Sequence, residues 1–368
     1  MGRRVEKRMM YTDDRDFSKR SGRRRGCKSQ AGCLAVMLSV IMAFSDYMPA
    51  LAQEEPAVTY EQYVSGEHRE ETDAGQYEVF SIGSVEELRE LAALCTYDAW
   101  SGDKRVLLTA DLDLAGEELL IPVFGGIFDG QGHTINGLAI RQEGSQMGLF
   151  RYLQRGAVVQ NLNLTEAIVL PQGSGCQVGV LAGRNYGSIV NCQVSGVLEG
   201  EEEVGGIAGV NEAGAVIRSC GAEVTVLGNR RSGGITGSNH GTLNNCVNKG
   251  NINIYTNDMV YDLEDFTAEN LEEASSGARL DAHMDTGGIA GISDGKIYYC
   301  VNEGTVGYAH VGYNTGGIVG RLHQGYIQNC TNTGHVLGRK DAGGIAGQME
   351  PFIEVEYIDG KLEELDRE

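Results

Sequence analysis

The sequence predicts an all-β chain: a single parallel β-helix (solenoid) with rungs of about 27 residues and a short N-terminal capping helix. Three observations carry this. A glycine-rich block recurs as VGVLAG (178–183), VGGIAG (204–209), SGGITG (232–237), TGGIAG (286–291), TGGIVG (315–320) and AGGIAG (342–347). Its last glycines are 26, 28, 54, 29 and 27 residues apart, so the 54 is one doubled period. A cysteine follows 9 to 11 residues after the block, at Cys192, Cys220, Cys246, Cys300 and Cys330. An aliphatic residue stands three positions before each cysteine (Ile189, Ile217, Leu243, Ile297, Ile327) and another six after it (Leu198, Val226, Ile252, Val306, Val336).

A unit this short cannot bury its own apolar face, but stacked units turn each column into a continuous ladder through a shared core. The rungs then lie at strand spacing, about 4.8 Å, where Cys and Gly permit close corners. The first aliphatic column lies an odd number of residues from the cysteine, so one alternating strand cannot bury both; a turn or bulge is required between them. Cys-x-Asn-x-Gly at Cys246–Gly250, Cys300–Gly304 and Cys330–Gly334 predicts an asparagine ladder at one corner. The 53 glycines against 5 prolines follow from such corners.

In chain order, residues 1–30 carry eleven Lys/Arg against four acids, followed by an uncharged apolar run at 31–44 and the small-x-small triplet Ala50-Leu51-Ala52. This is the order of an export signal, and residues 1–52 read as a signal peptide cleaved after Ala52, with an uncleaved signal anchor as the alternative. Residues 53–83 form an acidic linker leading into the fold. In the region 84–105, Ser84-x-x-Glu87 is a capping box, and Val85, Leu88, Leu91, Ala92 and Cys95 share one helical face. That helix would cover the open first rung against edge pairing. The β-helix is expected over 106–350, with 251–285 as a non-repeating excursion or an irregular extra rung. At 351–368, Tyr357, Ile358, Lys361, Leu362 and Leu365 have the spacing of a helical continuation.

These blocks, with their Cys and Asn-x-Gly followers, resemble the GLUG-motif repeats of bacterial surface proteins in the pectate-lyase-like parallel β-helix superfamily. Ser84–Leu88, Asp111-Leu-Asp113-Leu and Phe128–Ile135 are similar to that family's opening segment, and the resemblance covers roughly residues 78–350. It implies a β-helix at a bacterial cell surface or outside the cell, and no particular activity.

Charge narrows the partners. Residues 1–52 hold eleven of the 30 bases and five of the 51 acids, so the remainder carries −27 and disfavours nucleic acid. Gly291-Ile-Ser293-Asp-Gly295 matches a nucleophile-elbow pattern, yet Ser293 occupies the turn that reads Asn185-Tyr-Gly, Asn211-Glu-Ala-Gly and Asn239-His-Gly in sister repeats. Asp129–His133 reads likewise as a glycine-rich corner. The cysteines, all in one apolar column, read as reduced, small buried hydrophobes. Asp281, His283 and Asp285 alternate and could share a strand face as a divalent-cation site, calcium included, or belong to a solvated acidic loop. Aromatics gather at Tyr298, Tyr299, Tyr308, His310, Tyr313 and Tyr326; Tyr308, His310 and Tyr313 are the chosen sugar-stacking candidates. No catalytic constellation and no cofactor motif emerges.

Three functions are consistent with this pattern: a non-catalytic binding or adhesion module for extracellular glycan or protein, which is favoured; a polysaccharide lyase or hydrolase; and a passive surface scaffold. A membrane contact would come only through an uncleaved anchor or a further C-terminal segment.

Overall fold

The computed structural model describes residues 77–173, 175–254 and 283–350, and the backbone of 354–358 and 361–365. Residues 1–52, with the expected signal, lie outside the described residues, as does Asp281.

The turn demanded by the odd offset is a single residue. Each cysteine follows a residue in the left-handed conformation: Asn191, Ser219, Asn245, Tyr299 and Asn329 have φ between 52° and 55°. One such residue reverses which side the chain presents, so the aliphatic and cysteine columns both point inward. Asparagine tolerates this conformation because its short amide bonds locally. Ile189, Ile217, Leu243, Ile297, Cys192, Cys220, Cys246 and Cys300 are all buried.

Three parallel sheets line the solenoid. The first has nine strands, from Glu78–Ile82 to Tyr326–Gln328, one for each of about nine turns. The second has thirteen and the third eight, from Ile121–Phe124 to Ala346–Met349. Register follows the columns: Ile189 pairs with Ile217, Ile217 with Leu243, Leu243 with Ile297 and Ile297 with Ile327. The second aliphatic column stacks from Leu198 through Val226, Ile252 and Val306 to Val336.

A second left-handed column precedes the glycine blocks at Glu203, Arg231, Asp285 and Asn314 (φ 55° to 58°). Its backbone sits on the block's last glycine in the following rung. A Cβ on Gly237 would lie 2.3 Å from the carbonyl carbon of Glu203, and one on Gly291 2.4 Å from that of Arg231. The recurring glycine is therefore the contact surface between rungs.

Two buried asparagine ladders run inside. Asn248 donates to Asn302 and Asn302 to Asn332, both at 2.7 Å, as Cys-x-Asn-x-Gly predicts. The other passes from Asn185 to Asn211 and Asn239 at 2.9 Å and ends on the Ser293 hydroxyl at 3.0 Å. Ser293 is fully buried and accepts this bond, so it is a structural member of the ladder. Toward the N-terminal end the core is aromatic, with Phe124, Phe128 and Phe150 centroids 5.4 to 6.1 Å apart.

Three boundaries differ from the sequence reading. The stack begins at Glu78–Ile82, which pairs in parallel with Lys104–Leu108, so the helix is a detour between the first two strands and not a prefix to them. The helix, Val85–Leu94, has the expected capping box, buries Leu88 and Leu91, and packs on Glu78–Ile82 and Ile121–Phe124.

The second difference is at the doubled period, which contains no extra rung. Gly233 pairs with Gly287, Asn239 with Ser293, Asn248 with Asn302 and Ile252 with Val306, so the flanking rungs bond directly to each other. Residues 251–254 and 283–285 belong to those rungs, and only 255–282, outside the described residues, is insertion.

The third is at 351–368, where a hairpin replaces the expected helix. Glu354–Ile358 and Lys361–Leu365 pair antiparallel, with Ile358 opposite Lys361. The sequence between them is Asp359-Gly360, the pair that favours a two-residue hairpin turn, and this local preference outweighs the 3.6-residue spacing.

Candidate functional site

The left-handed bend between the first and second sheets makes a re-entrant corner, and stacking converts it into a groove parallel to the solenoid axis. The groove encloses about 630 Å³ and is lined by Asn163, Thr165, Gln193, Ser195, Glu223 and Lys249 among others. Its lining residues run from the strand Thr134–Asn136 to the rung of Glu303, six successive strands of the second sheet. At strand spacing that is about 24 Å from end to end.

Amides and hydroxyls supply most of its polar groups. Asn191 donates to the Asn161 amide oxygen at 2.8 Å and Asn245 to the Ser219 hydroxyl at 3.3 Å, so the corner column is itself a polar ladder. Tyr299, 43% exposed, continues this column one rung beyond Asn245. Tyr298, immediately before it, meets Tyr326 edge-on with centroids 5.4 Å apart, and their hydroxyls are hydrogen-bonded.

The charged groups of the groove form one column, each three residues after a cysteine: Glu223, Lys249 and Glu303. All three side chains are exposed.

The sequence candidates lie elsewhere. Tyr308 and His310 lie in the short connection that follows Val306, Tyr313 opens the strand Tyr313–Gly316 after it, and none of the three lines the groove. Tyr308 is exposed, His310 is left-handed (φ 63°), and the Arg339 guanidinium lies 6.0 Å from the Tyr313 ring centroid. His283 and Asp285 take separate partners, because the left-handed backbone at Asp285 (φ 57°) breaks the alternation that would align them. The His283 Nδ1 bonds the Gly228 carbonyl at 2.9 Å, whereas Asp285 accepts from Asn314 at 2.7 Å and pairs with Arg321 at 3.0 Å. Among the described residues no group of three His, Cys, Asp or Glu is placed to hold a metal ion. Asp129 is likewise occupied by the framework. Its carboxylate accepts from Gln131, Gln160 and Asn161 at 2.8 to 3.1 Å and pairs with Arg105.

Beside the third sheet a second column alternates acid and imidazole: Glu212, His240, Asp294, His323 and Glu350. His240 Nδ1 lies 2.7 Å from Asp294, and His323 bonds Glu350, which Arg321 also holds at 3.0 Å. The hydrogen bond to Asp294 raises the His240 pKa above 6.5. A raised folded-state value means that the pair's contribution to stability is complete below about pH 6.5 and is lost as pH rises through the folded value. An NMR titration of His240 should therefore show a midpoint above about 6.5, returning there in Asp294→Asn; a wild-type midpoint at or below it contradicts the pairing.

Sequence reasoning met Glu212 and His240 as turn residues and Lys249 and Glu303 inside the Cys-x-Asn-x-Gly corners, and read neither set as a column. The available signal was the residue type at fixed offsets: three after each cysteine for the groove, three after each last glycine for the acid–imidazole column.

No family model matches the chain. Halomucin of Haloquadratum walsbyi is 36% identical over 102 residues, 27% of this chain and 1% of halomucin. A "Putative Gly-rich membrane protein" of Evansella cellulosilytica is 39% identical over 72 residues, 19% of this chain and 8% of that protein. The chain thus matches only a small fraction of the length of these relatives. Among solved structures, a Bacteroides ovatus protein described as a "putative immunoglobulin A1 protease" superposes with a TM-score of 0.51 at 18% identity, covering 74% of this chain and 83% of that one. At that identity the likeness is one of fold, the parallel β-solenoid.

Proposed function

We propose that this is an exported or cell-surface, non-catalytic binding module of the GLUG-repeat kind, which holds an extended extracellular glycan along the groove. A protein surface is the alternative partner; the groove favours the glycan. The observation that carries the reading is a channel along the stacked rungs that presents an amide or hydroxyl at most of them, at Asn163, Thr165, Gln193, Ser195, Ser219 and Asn245. Such groups match sugar hydroxyls, and the tyrosines at one end offer faces and edges for a ring to stack on. The net charge of the chain, −21, opposes sulfated or phosphorylated polymers.

A glycan array followed by calorimetry tests this. Affinity for a neutral oligosaccharide should rise with length until the groove is filled, and Gln193→Ala with Ser195→Ala should weaken it about tenfold, the loss of one or two net hydrogen bonds. Unchanged affinity in the folded double variant, or no glycan bound at all, overturns the reading.

The lyase or hydrolase alternative is favoured by one feature, the column Glu223, Lys249, Glu303, which sets two carboxylates about two rungs apart around a lysine. Release of shortened oligosaccharides, abolished by Glu223→Gln, would establish it over simple binding.

A further inference from the structure

The cysteine column ends in an asymmetric pair. Cys192, Cys220, Cys246 and Cys300 are buried, and Cys330, in the last rung of the column, is half-buried. All five thiols are free. Cys300 and Cys330 are bracketed by two in-register pairs, Tyr298 with Gln328 and Val301 with Thr331, which places them side by side at strand spacing. That spacing, about 4.8 Å between Cα atoms, falls inside the range a disulfide spans. The backbone N–H of Cys300 points at the Cys330 sulfur at 3.4 Å, a donor positioned to hold a thiolate.

We propose that Cys330 and Cys300 form a thiol-modification site that takes a low-molecular-weight disulfide, with Cys330 as the attacking sulfur and Cys300 as the resolving one. In the first step the Cys330 thiolate attacks one sulfur of the small disulfide. The S–S bond of the reagent breaks, a mixed disulfide forms on Cys330, and one small thiolate leaves. In the second step Cys300, losing its proton, attacks the Cys330 sulfur and expels the second small thiol. The protein ends with a Cys300–Cys330 disulfide, two electrons poorer, and the reagent is reduced to two thiols.

Electrostatics agree with the division of labour. The hydrogen bond from the Cys300 thiol, with the Cys300 backbone N–H, holds the Cys330 thiol down at about 7, against the opposing effect of its partial burial. Cys300 is pushed up by its neighbouring thiols and by burial, so it keeps its proton until the mixed disulfide stands beside it. Cys176 is an internal control: it too is half-buried, but burial and the nearby Glu202 push its thiol up.

The bridge would join the last two rungs of the cysteine column where the core is least covered, since Ile327 and Cys330 are only partly buried. The thiol pair is separate from the groove and its ligand.

The test is incubation of the reduced full-length chain with oxidised glutathione at neutral pH, followed by intact-mass measurement and peptide mapping. Wild type should lose two hydrogens and yield a Cys300–Cys330 cross-linked peptide. Cys300→Ser should stop at one glutathionyl group on Cys330, and Cys330→Ser should give neither product. Alkylation at pH 7 should label Cys330 at least about tenfold faster than Cys176, reflecting its larger thiolate fraction. Should Cys300→Ser fail to fold, the wild-type peptide map and the alkylation ratio still decide. An unmodified wild type, a glutathionyl group on Cys176 in place of Cys330, or a cross-link at Cys246–Cys300 would each overturn the proposal.

Discussion

Gly288→Val is expected to abolish the stable fold, whereas Gly344→Val, the same change at the same block position, is expected to leave it nearly untouched. A Cβ on Gly288 would lie 2.2 Å from the carbonyl oxygen of Gly317 and 2.3 Å from the Asn302 side chain. The first neighbour is backbone of the next rung and cannot rotate away. Relief would require the rungs to separate, breaking the parallel pairing of Met284–Gly287 with Tyr313–Gly316. Overpacking that side chains can absorb costs about 1–3 kcal/mol; displacing a rung should exceed that and, in a marginally stable chain, prevent soluble expression. Nothing lies within 4 Å of the corresponding position on Gly344 in the last block. Comparison of soluble yield and thermal melting for the two variants checks the claim, and equal behaviour would refute rung-to-rung contact as the reason for the glycine.

Asn302→Leu is the second large effect. Asn302 is fully buried, accepts from Asn248, and donates to Asn332 and to the Gly304 carbonyl. Leucine has the same branching but leaves an Asn332 acceptor and a buried carbonyl without their donor, at about 1–3 kcal/mol for each orphaned group. The ladder fixes register as well as energy, because each amide both gives and receives along the axis. A loss of roughly 3 kcal/mol in denaturant unfolding, with a native-like strand spectrum retained in water, is the expected result. A loss under about 1 kcal/mol would mean that the amides contribute little beyond filling space.

The architecture was legible because solenoid contacts repeat: a residue type required once is required in every rung, so Ile189, Cys192 and Leu198 announce themselves through their counterparts. The odd offset even required a turn or bulge between Ile189 and Cys192, which a single left-handed residue supplies. Features that occur once left no such trace. That Glu78–Ile82 precedes the helix as a strand depends on a single pairing with Lys104–Leu108. The hairpin at Glu354–Leu365 was hidden because Tyr357, Leu362 and Leu365 fit a helix as well as they fit two short strands, and only Asp359-Gly360 distinguishes the two. The groove was invisible for a different reason. Outward columns such as Gln193, Gly221, Val247 and Val301 vary freely because stacking places no demand on them, and the concavity follows from the bend beneath, which the odd offset required without giving its direction.

The direct pairing of rungs across residues 255–282 has a consequence for how this chain can vary. Asn253 and Thr286, on either side of that segment, are tied by a 3.0 Å hydrogen bond, so the ends of the insertion are held together by the framework whatever lies between them. Closing a loop on ends already fixed is an entropic matter that grows only logarithmically, about 0.6 kcal/mol for each doubling of length. The stack is accordingly expected to be indifferent to the content of residues 255–282, and the rung ends at Ile254 and His283 are a grafting point where sequence can be lengthened, shortened or exchanged while the ladders on both sides keep their register.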